Sequence, residues 1–430
     1  MIVQDARLAD GRSVDVRIEG EKITAVDADL RSGRGETIDA GGKLLLPGAI
    51  DVHVHFREPG FPHKETWETG SRSAAAGGVT CAVDQPNTEP PTVDGESFDE
   101  KALLAENSYV EYGINGGVTA DWNPEELFSR PIFALGEVFL ADSTGEMGID
   151  TELFAEAAER AADAEVPITV HAEDATLFDE EALGRAGEGV GREADADAWS
   201  VFRTAEAEAA AIETACEVAN DVGADLHVAH TSTPEGIDAA NAGGASCEVC
   251  PHHLFLSRED LSDLGTYGRM NPPLRSEERR AGVAERVADG SVDLIATDHA
   301  PHTAEEKEAT IHDAPSGVPG VETMLPLLLA AAARGDLSIE RVRDLTASAP
   351  ARVFGLPGKG RIAEGSDADL VLVDPGSETE IRGKDLHSNC GWTPYEGSEG
   401  VFPEWTMVRG TVVYDAREGF GPAVGKNVRT

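Results

Sequence analysis

The 430-residue sequence has few cations, few cysteines and no long apolar run. Lysine and arginine together number 35 against 80 aspartates and glutamates, a formal charge of −45. That excess argues against nucleic acid or an anionic membrane as a partner, since both would be repelled. Only eight of the 35 basic residues are lysines, and the acids are spread along the whole chain instead of forming one tail. This pattern predicts a halophilic protein from a high-salt cytoplasm, where ions screen self-repulsion; a specific cationic partner is the alternative. The five cysteines (81, 216, 247, 250 and 390) are sparse and odd in number, which excludes a disulfide framework and fits a reducing compartment. No apolar run approaches the roughly 18 residues of a membrane span. The opening "MIVQDARLADGRS" has no signal-peptide core, so the expected location is cytoplasmic.

What is present falls into two styles. Residues 1–47 are short alternating segments such as "VDVRIEG" and "KITAVDA", broken by Gly and Asp, and "DADLVLVDP" and "WTMVRGTVVYDA" repeat that style near the end. Between them, apolar β-branched runs recur at 48–55, 78–86, 111–118, 131–140, 166–174, 224–232, 245–253 and 292–302. Helical stretches rich in Ala and Glu, such as "TELFAEAAERAADAE" and "RTAEAEAAAIETACEVANDVG", lie between most of them. Eight strand–helix units predict an α/β fold, a (β/α)8 TIM barrel over 48–355. A small β-sandwich domain formed from both chain ends (1–47 and 356–430) is expected beside it. The stretch "GRAGEGVGREADADAWS" reads as a loop after the fifth strand.

Polar residues gather at the C-terminal ends of these runs: His53 and His55 on the first, Glu137 on the fourth, His171 on the fifth, His230 on the sixth and Asp298 on the eighth. In such a barrel those ends share one face, where active sites are assembled from several strands. The i, i+2 spacing of His53 and His55 points both imidazoles to one side. Each residue alone has an ordinary reading, a hydrogen-bonded histidine or a helix cap. Together, four imidazoles and two carboxylates make a first-row metal set large enough for two ions. Cys247-x-x-Cys250 followed by His252 and His253 looks like half a zinc site, but no second pair lies nearby, and buried free thiols are expected. His63, His227, His312 and His387 are read as structural.

The segments "DVHVHFREPG", "PNT", "PHHLFL", "MNPPLR", "TDHAPH" and "SGVPGVET" together resemble the cyclic amidohydrolases and, among them, the dihydroorotase family. With "GGKLLLPGAIDVHVH" and "GRIAEGSDADLVLVDP" the resemblance covers nearly the whole chain. It implies a zinc-dependent enzyme with two Zn2+ per subunit, His53 and His55 on one ion and His171 and His230 on the other. Asp298 would complete the first shell and shuttle a proton from the hydroxide that bridges the metals in this family. Arg57, Asn87 and His302 would bind the substrate carboxylate, and Asn271 the pyrimidine ring. The implied reaction is the reversible hydrolysis of dihydroorotate to N-carbamoyl-L-aspartate in pyrimidine biosynthesis. A planar guanidinium at Arg57 suits a carboxylate, whereas allantoinase and dihydropyrimidinase (hydantoinase) substrates would leave it unmatched. A non-catalytic scaffold for aspartate carbamoyltransferase is a further alternative. Whether the chain forms homo-oligomers or meets such a partner is left open.

One acid stands out. Glu137 interrupts the apolar run "IFALGEVFL", and a buried charge needs a partner, a proton or a metal ion. Relatives carry a carboxylated lysine on the fourth strand, yet no lysine occurs from 102 to 306 here. Aligned on that strand, Glu137 takes the lysine's place as the expected bridge between metals, with Asp142 as the rival.

Overall fold

The computed structural model describes residues 1–30, 35–141, 147–185 and 196–430. Leu44–Pro47 is the seam between the two parts of the molecule. It pairs antiparallel with Leu370–Glu380, Leu46 opposite Val371 and Leu45 opposite Leu372. On one side of this pair follow Glu399–Val408, Thr411–Asp415 and Gly419–Phe420; on the other follow Ile2–Arg7, Ser13–Glu19 and Lys22–Asp27. Thr37–Asp39 adds to Ile2–Arg7 as a ninth strand. Both chain ends therefore share one hydrogen-bonded sheet. The alternation read in the sequence sends Val3, Val14, Val16, Ile18, Leu45, Leu370, Leu372 and Met407 into a single apolar cluster.

One residue beyond Pro47 the chain enters the barrel. Its eight parallel strands are Ala49–Val54, Val79–Asp84, Glu111–Ile114, Leu135–Phe139, Ile168–His171, Leu226–Val228, Ser246–Val249 and Leu294–Ile295. The first three form one ladder and the last five another. Single parallel bridges close the ring, Gly116 with Leu135 and Val54 with His299. Each strand is shorter than its apolar run, with His53, Glu137 and His171 inside their strands and His55, His230 and Asp298 just beyond theirs. The eighth is the extreme case, with two residues in the ladder. Helices return the chain where the sequence predicts them. Thr151–Asp163 is capped by Asp150, and Ala205–Val222 is capped by Thr204 and ends at left-handed Gly223.

The loop reading of 184–200 needs correction at both ends. Glu180–Arg185 and Asp197–Phe202 are helical, the second because Trp199 and Phe202 bury against Ile311. Residues 186–195, and Asp142 with its neighbours to 146, lie outside the described residues. No helix among the described residues is long and apolar enough to cross a membrane.

One buried ion pair holds the mouth of the first strand in place. Lys101 and Asp84 are both fully buried, with Lys101 Nζ donating to Asp84 Oδ2 at 2.7 Å and to the Gln85 carbonyl at 2.6 Å. The other Asp84 oxygen accepts the backbone N–H of Phe56 at 2.6 Å, fixing the residue between His55 and Arg57. Lys101→Met strands this carboxylate and should cost about 3–5 kcal/mol in denaturant unfolding at high salt. The double variant Lys101→Met/Asp84→Asn should recover part of that loss. A single-variant loss below about 1 kcal/mol would show that the pair does not brace the strand end.

Candidate metal centre and substrate cleft

The expected metal-binding residues converge on Glu137. Its strand passes unusually close to its neighbour at Gly136, where φ is 130° and an added Cβ would lie 2.2 Å from the Thr169 carbonyl oxygen. Only glycine fits there, and it delivers Glu137 to the barrel axis. Glu137 Oε1 lies 2.5 Å from His230 Nε2 and 3.1 Å from His171 Nδ1, while Oε2 lies 3.3 Å from His53 Nε2. One carboxylate oxygen thus faces the His171/His230 side and the other faces His53. Asp298 Oδ1 is 2.9 Å from His55 Nε2 and 3.6 Å from His53 Nε2. All six residues are buried.

The histidines are held from behind. Nδ1–H of His53 donates to Glu248 Oε1 at 2.7 Å, and Nδ1–H of His55 donates to Asn87 Oδ1 at 2.7 Å. His171 donates from Nε2 to Glu173 Oε2 at 3.0 Å, and Arg203 Nη2 donates to the same oxygen at 2.6 Å. These bonds leave the inward nitrogens, Nε2 of His53 and His55 and Nδ1 of His171, with lone pairs aimed at the centre. His53 Nε2 is buried and has no hydrogen-bond partner among the described residues, as expected of a donor atom awaiting a cation. Two sets of donor atoms, His53/His55/Asp298 and His53/Glu137/His230, are each compact enough to hold an ion. The residues therefore fit a divalent metal centre.

Electrostatics agree with that donor set. Burial alone would raise the Glu137 carboxyl, but the imidazoles of His230 and His53 outweigh it and hold it well below the usual range. Burial would lower His171, yet Glu137 and Glu173 bring it up to about 9. The carboxylates of Glu137, Glu173, Glu248 and Asp298 around these imidazoles favour positive charge at the centre, which a dication supplies. Backbone strain also gathers here. Arg57, His230 and Asp298 have φ of 66°, 33° and 46°, a left-handed conformation that costs on the order of 1–3 kcal/mol each for such residues.

Above the acids lies a cleft lined by His55, Arg57, Asn87, Glu137, His230, Asn271 and Asp298, with Ser316 and Gly317 of "SGVPGVET". His53, His171 and His302 stand behind this lining. Arg57 is buried, with Nε donating to the Pro301 carbonyl at 3.2 Å and Nη2 lying 3.1 Å from His302 Nε2. Burial pulls its guanidinium down to about 10. Nε2–H of fully buried His302 donates to the Ser316 carbonyl at 2.9 Å, and its Nδ1 accepts from Lys64 at 3.1 Å. Asn271 Oδ1 accepts from Trp199 Nε1 at 2.9 Å. Asn87, expected only on the substrate side, both lines the cleft and orients His55.

Sequence reading missed the residues behind this wall. Glu248, Glu173, Arg203, Lys64 and Lys307 were not singled out, and His227 was set aside as structural. His227 in fact bonds Glu248 Oε2 at 3.0 Å and helps place the acid behind His53. Glu248 carries the same signal as Glu137, an acid inside an apolar strand run ("SCEVC"). Lys307 is fully buried, and its Nζ donates to the carbonyls of Arg269, Pro315 and Gly317 at 3.0, 2.8 and 3.1 Å. It ties the 315–317 segment to the one leading to Asn271. His387 pairs with Glu322 at 2.8 Å, in keeping with a structural role.

Glu248→Gln should weaken metal binding by about 10–100-fold in chelator competition, because the His53 tautomer loses its carboxylate acceptor. Unchanged affinity would mean that packing alone orients His53.

A model of the amidohydrolase family matches residues 44–413. The chain is 63% identical over 431 residues to a dihydroorotase of Halobacterium salinarum, covering 100% of this chain and 99% of the relative. It is 44% identical over 416 residues to a dihydroorotase of Methanosarcina mazei (93% and 90% covered) and 38% identical over 431 residues to an allantoinase of Rubrobacter xylanophilus (96% and 94% covered). Among solved structures, L-hydantoinase from Arthrobacter aurescens superposes with a TM-score of 0.93 at 29% identity, covering 99% of this chain and 98% of that one. Fold, donor set and sequence agree: the chain belongs to the amidohydrolase family.

Proposed function

We propose that this chain acts as a dihydroorotase, catalysing the reversible hydrolysis of the cyclic amide of (S)-dihydroorotate to N-carbamoyl-L-aspartate in pyrimidine biosynthesis. The observation that carries the reading is Arg57, a buried guanidinium facing the cleft whose Nε donates to the Pro301 carbonyl. A buried cation of this kind calls for an anionic ligand, and a planar carboxylate satisfies it bidentately. Allantoin and dihydrouracil carry no carboxylate and would leave the charge unmatched. The dihydroorotase relative of high identity over the full length supports the same choice.

In this reading Arg57 and Asn87 receive the substrate carboxylate, and His302 stands beside the guanidinium. Asn271 holds the ring edge opposite. Two divalent ions, zinc by family habit, would when bound acidify a water and polarise the scissile carbonyl. His53 and His55 would hold one and His171 and His230 the other, with Glu137 between them. Asp298 accepts the proton of the attacking water and returns it to the ring nitrogen as the C–N bond breaks, so the product gains a carboxylate and a ureido N–H. The division at 47/48 and 355/356 into a small β domain and a catalytic barrel, and a location in a high-salt cytoplasm, belong to the same reading. So does the question of self-association or an aspartate carbamoyltransferase partner, which light scattering of the chain alone and mixed with that enzyme would answer.

Dihydroorotate, allantoin and dihydrouracil assayed in parallel at high salt test the substrate. Turnover of dihydroorotate should dominate, and Arg57→Met should lower kcat/KM for it by at least about 100-fold, as expected for loss of a charged hydrogen-bonded contact. Preferential turnover of either neutral substrate would overturn the reading. Glu137→Gln should lose at least one metal per subunit by elemental analysis; full occupancy with full activity would move the bridge elsewhere, Asp142 being the next candidate.

A further inference from the structure

A second group of metal-type donors lies buried beside the first. Cys250 precedes the short helix Pro251–Phe255, which carries His252 and His253. One donor atom from each of the three lies within 4.8 Å of the others, and all three residues are buried. Both ring nitrogens of His252 and Nδ1 of His253 are buried without a hydrogen-bond partner among the described residues. Each such orphan costs about 1–3 kcal/mol unless something fills the space between them. His253 has the geometry of a ligating histidine, because its Nε2–H donates to the Pro272 carbonyl at 2.9 Å and leaves Nδ1 free to bind. Burial first, and then the carboxylates of Asp298, Glu248, Asp51 and Glu137, push the Cys250 thiol up, and the same carboxylates favour a cation nearby. The Tyr395 phenol near Cys250 is also buried without a hydrogen-bond partner among the described residues.

We propose that Cys250, His252 and His253 form a further metal site, separate from the Glu137 centre, for a thiophilic divalent ion such as Zn2+. One thiolate and two imidazoles suit that ion and leave a fourth position open. The Cys250 thiol gives up its proton to solvent on binding. The tempting partner Cys247 is not among the donors, because its strand carries it into the apolar cluster between strands and helices. An ion here would lock the 250–255 helix, through His253 and Pro272, to the turn that presents Asn271 to the cleft.

The Glu137 centre has no thiol among its donors, which makes sulfur a private signature of the second site. The full-length protein, stripped by chelation and reloaded with Co2+ alone, should develop a sulfur-to-cobalt charge-transfer band in the near ultraviolet. Cys250→Ser should lose that band and one equivalent of metal per chain; Cys247→Ser should keep both. No such band in the unaltered protein would overturn the proposal. So would loss of the band without loss of a metal equivalent, since the thiol would then serve the first centre. Should Cys250→Ser fail to fold, X-ray absorption of the zinc-loaded unaltered protein decides, with a sulfur neighbour at about 2.3 Å expected and its absence counting against the site.

Discussion

A carboxylate sealed in the mouth of a barrel must find compensating charge, and in this molecule almost everything near the site answers to Glu137. Gly136 brings it to the axis past the Thr169 carbonyl. Its two oxygens divide the histidines into one group around His171 and His230 and another around His53. Those imidazoles are in turn fixed by Glu248, Asn87 and Glu173, so one buried acid is surrounded by a ring of donors and then by a ring of acceptors. The arrangement is poorly satisfied by protons alone and well satisfied by dications.

Much of this was legible in the chain, for reasons that differ from residue to residue. The eight strands stand where apolar β-branched runs recur, since burial on both faces writes itself into composition. His53 and His55 were legible because a strand alternates. Glu137 was legible because an acid in such a run has no ordinary explanation. Glu248 carried the same mark and was passed over, since its run was read for its cysteines and histidines instead. Arg203 and Lys64 meet their histidines only through long-range folding, which no local pattern encodes, whereas Glu173 stands two residues from His171. The left-handed backbone at Arg57, His230 and Asp298 is likewise invisible, because these residues do not advertise positive φ as glycine would.

The helix at Asp197–Phe202 illustrates the opposite error. Acidic, glycine-rich surroundings suggested a loop, while tertiary burial of Trp199 and Phe202 decided for a helix that also reaches Asn271. The cysteines teach a similar lesson. A C-x-x-C spacing invites pairing, but a strand followed by a helix start separates Cys247 from Cys250 and leaves the latter with its two histidine neighbours.

Lysine is scarce in this sequence, at eight residues. A surface with so few of them still places Lys101 and Lys307 in full burial and Lys64 beside His302. Lys307 sits in a cage of carbonyl oxygens, and burial pulls its ammonium well below the usual lysine range. Together with Arg57 it places basic side chains in the interior of a molecule of formal charge −45. An anionic substrate approaching at low ionic strength would meet the repulsion of the whole surface before it felt this interior. In salt of about 1 M the Debye length shrinks to roughly 3 Å, and the distant acids drop out while the contact-range cations remain. Salt would then act as more than a stabiliser of the fold: it sets how far out an anion first senses the cleft as attractive.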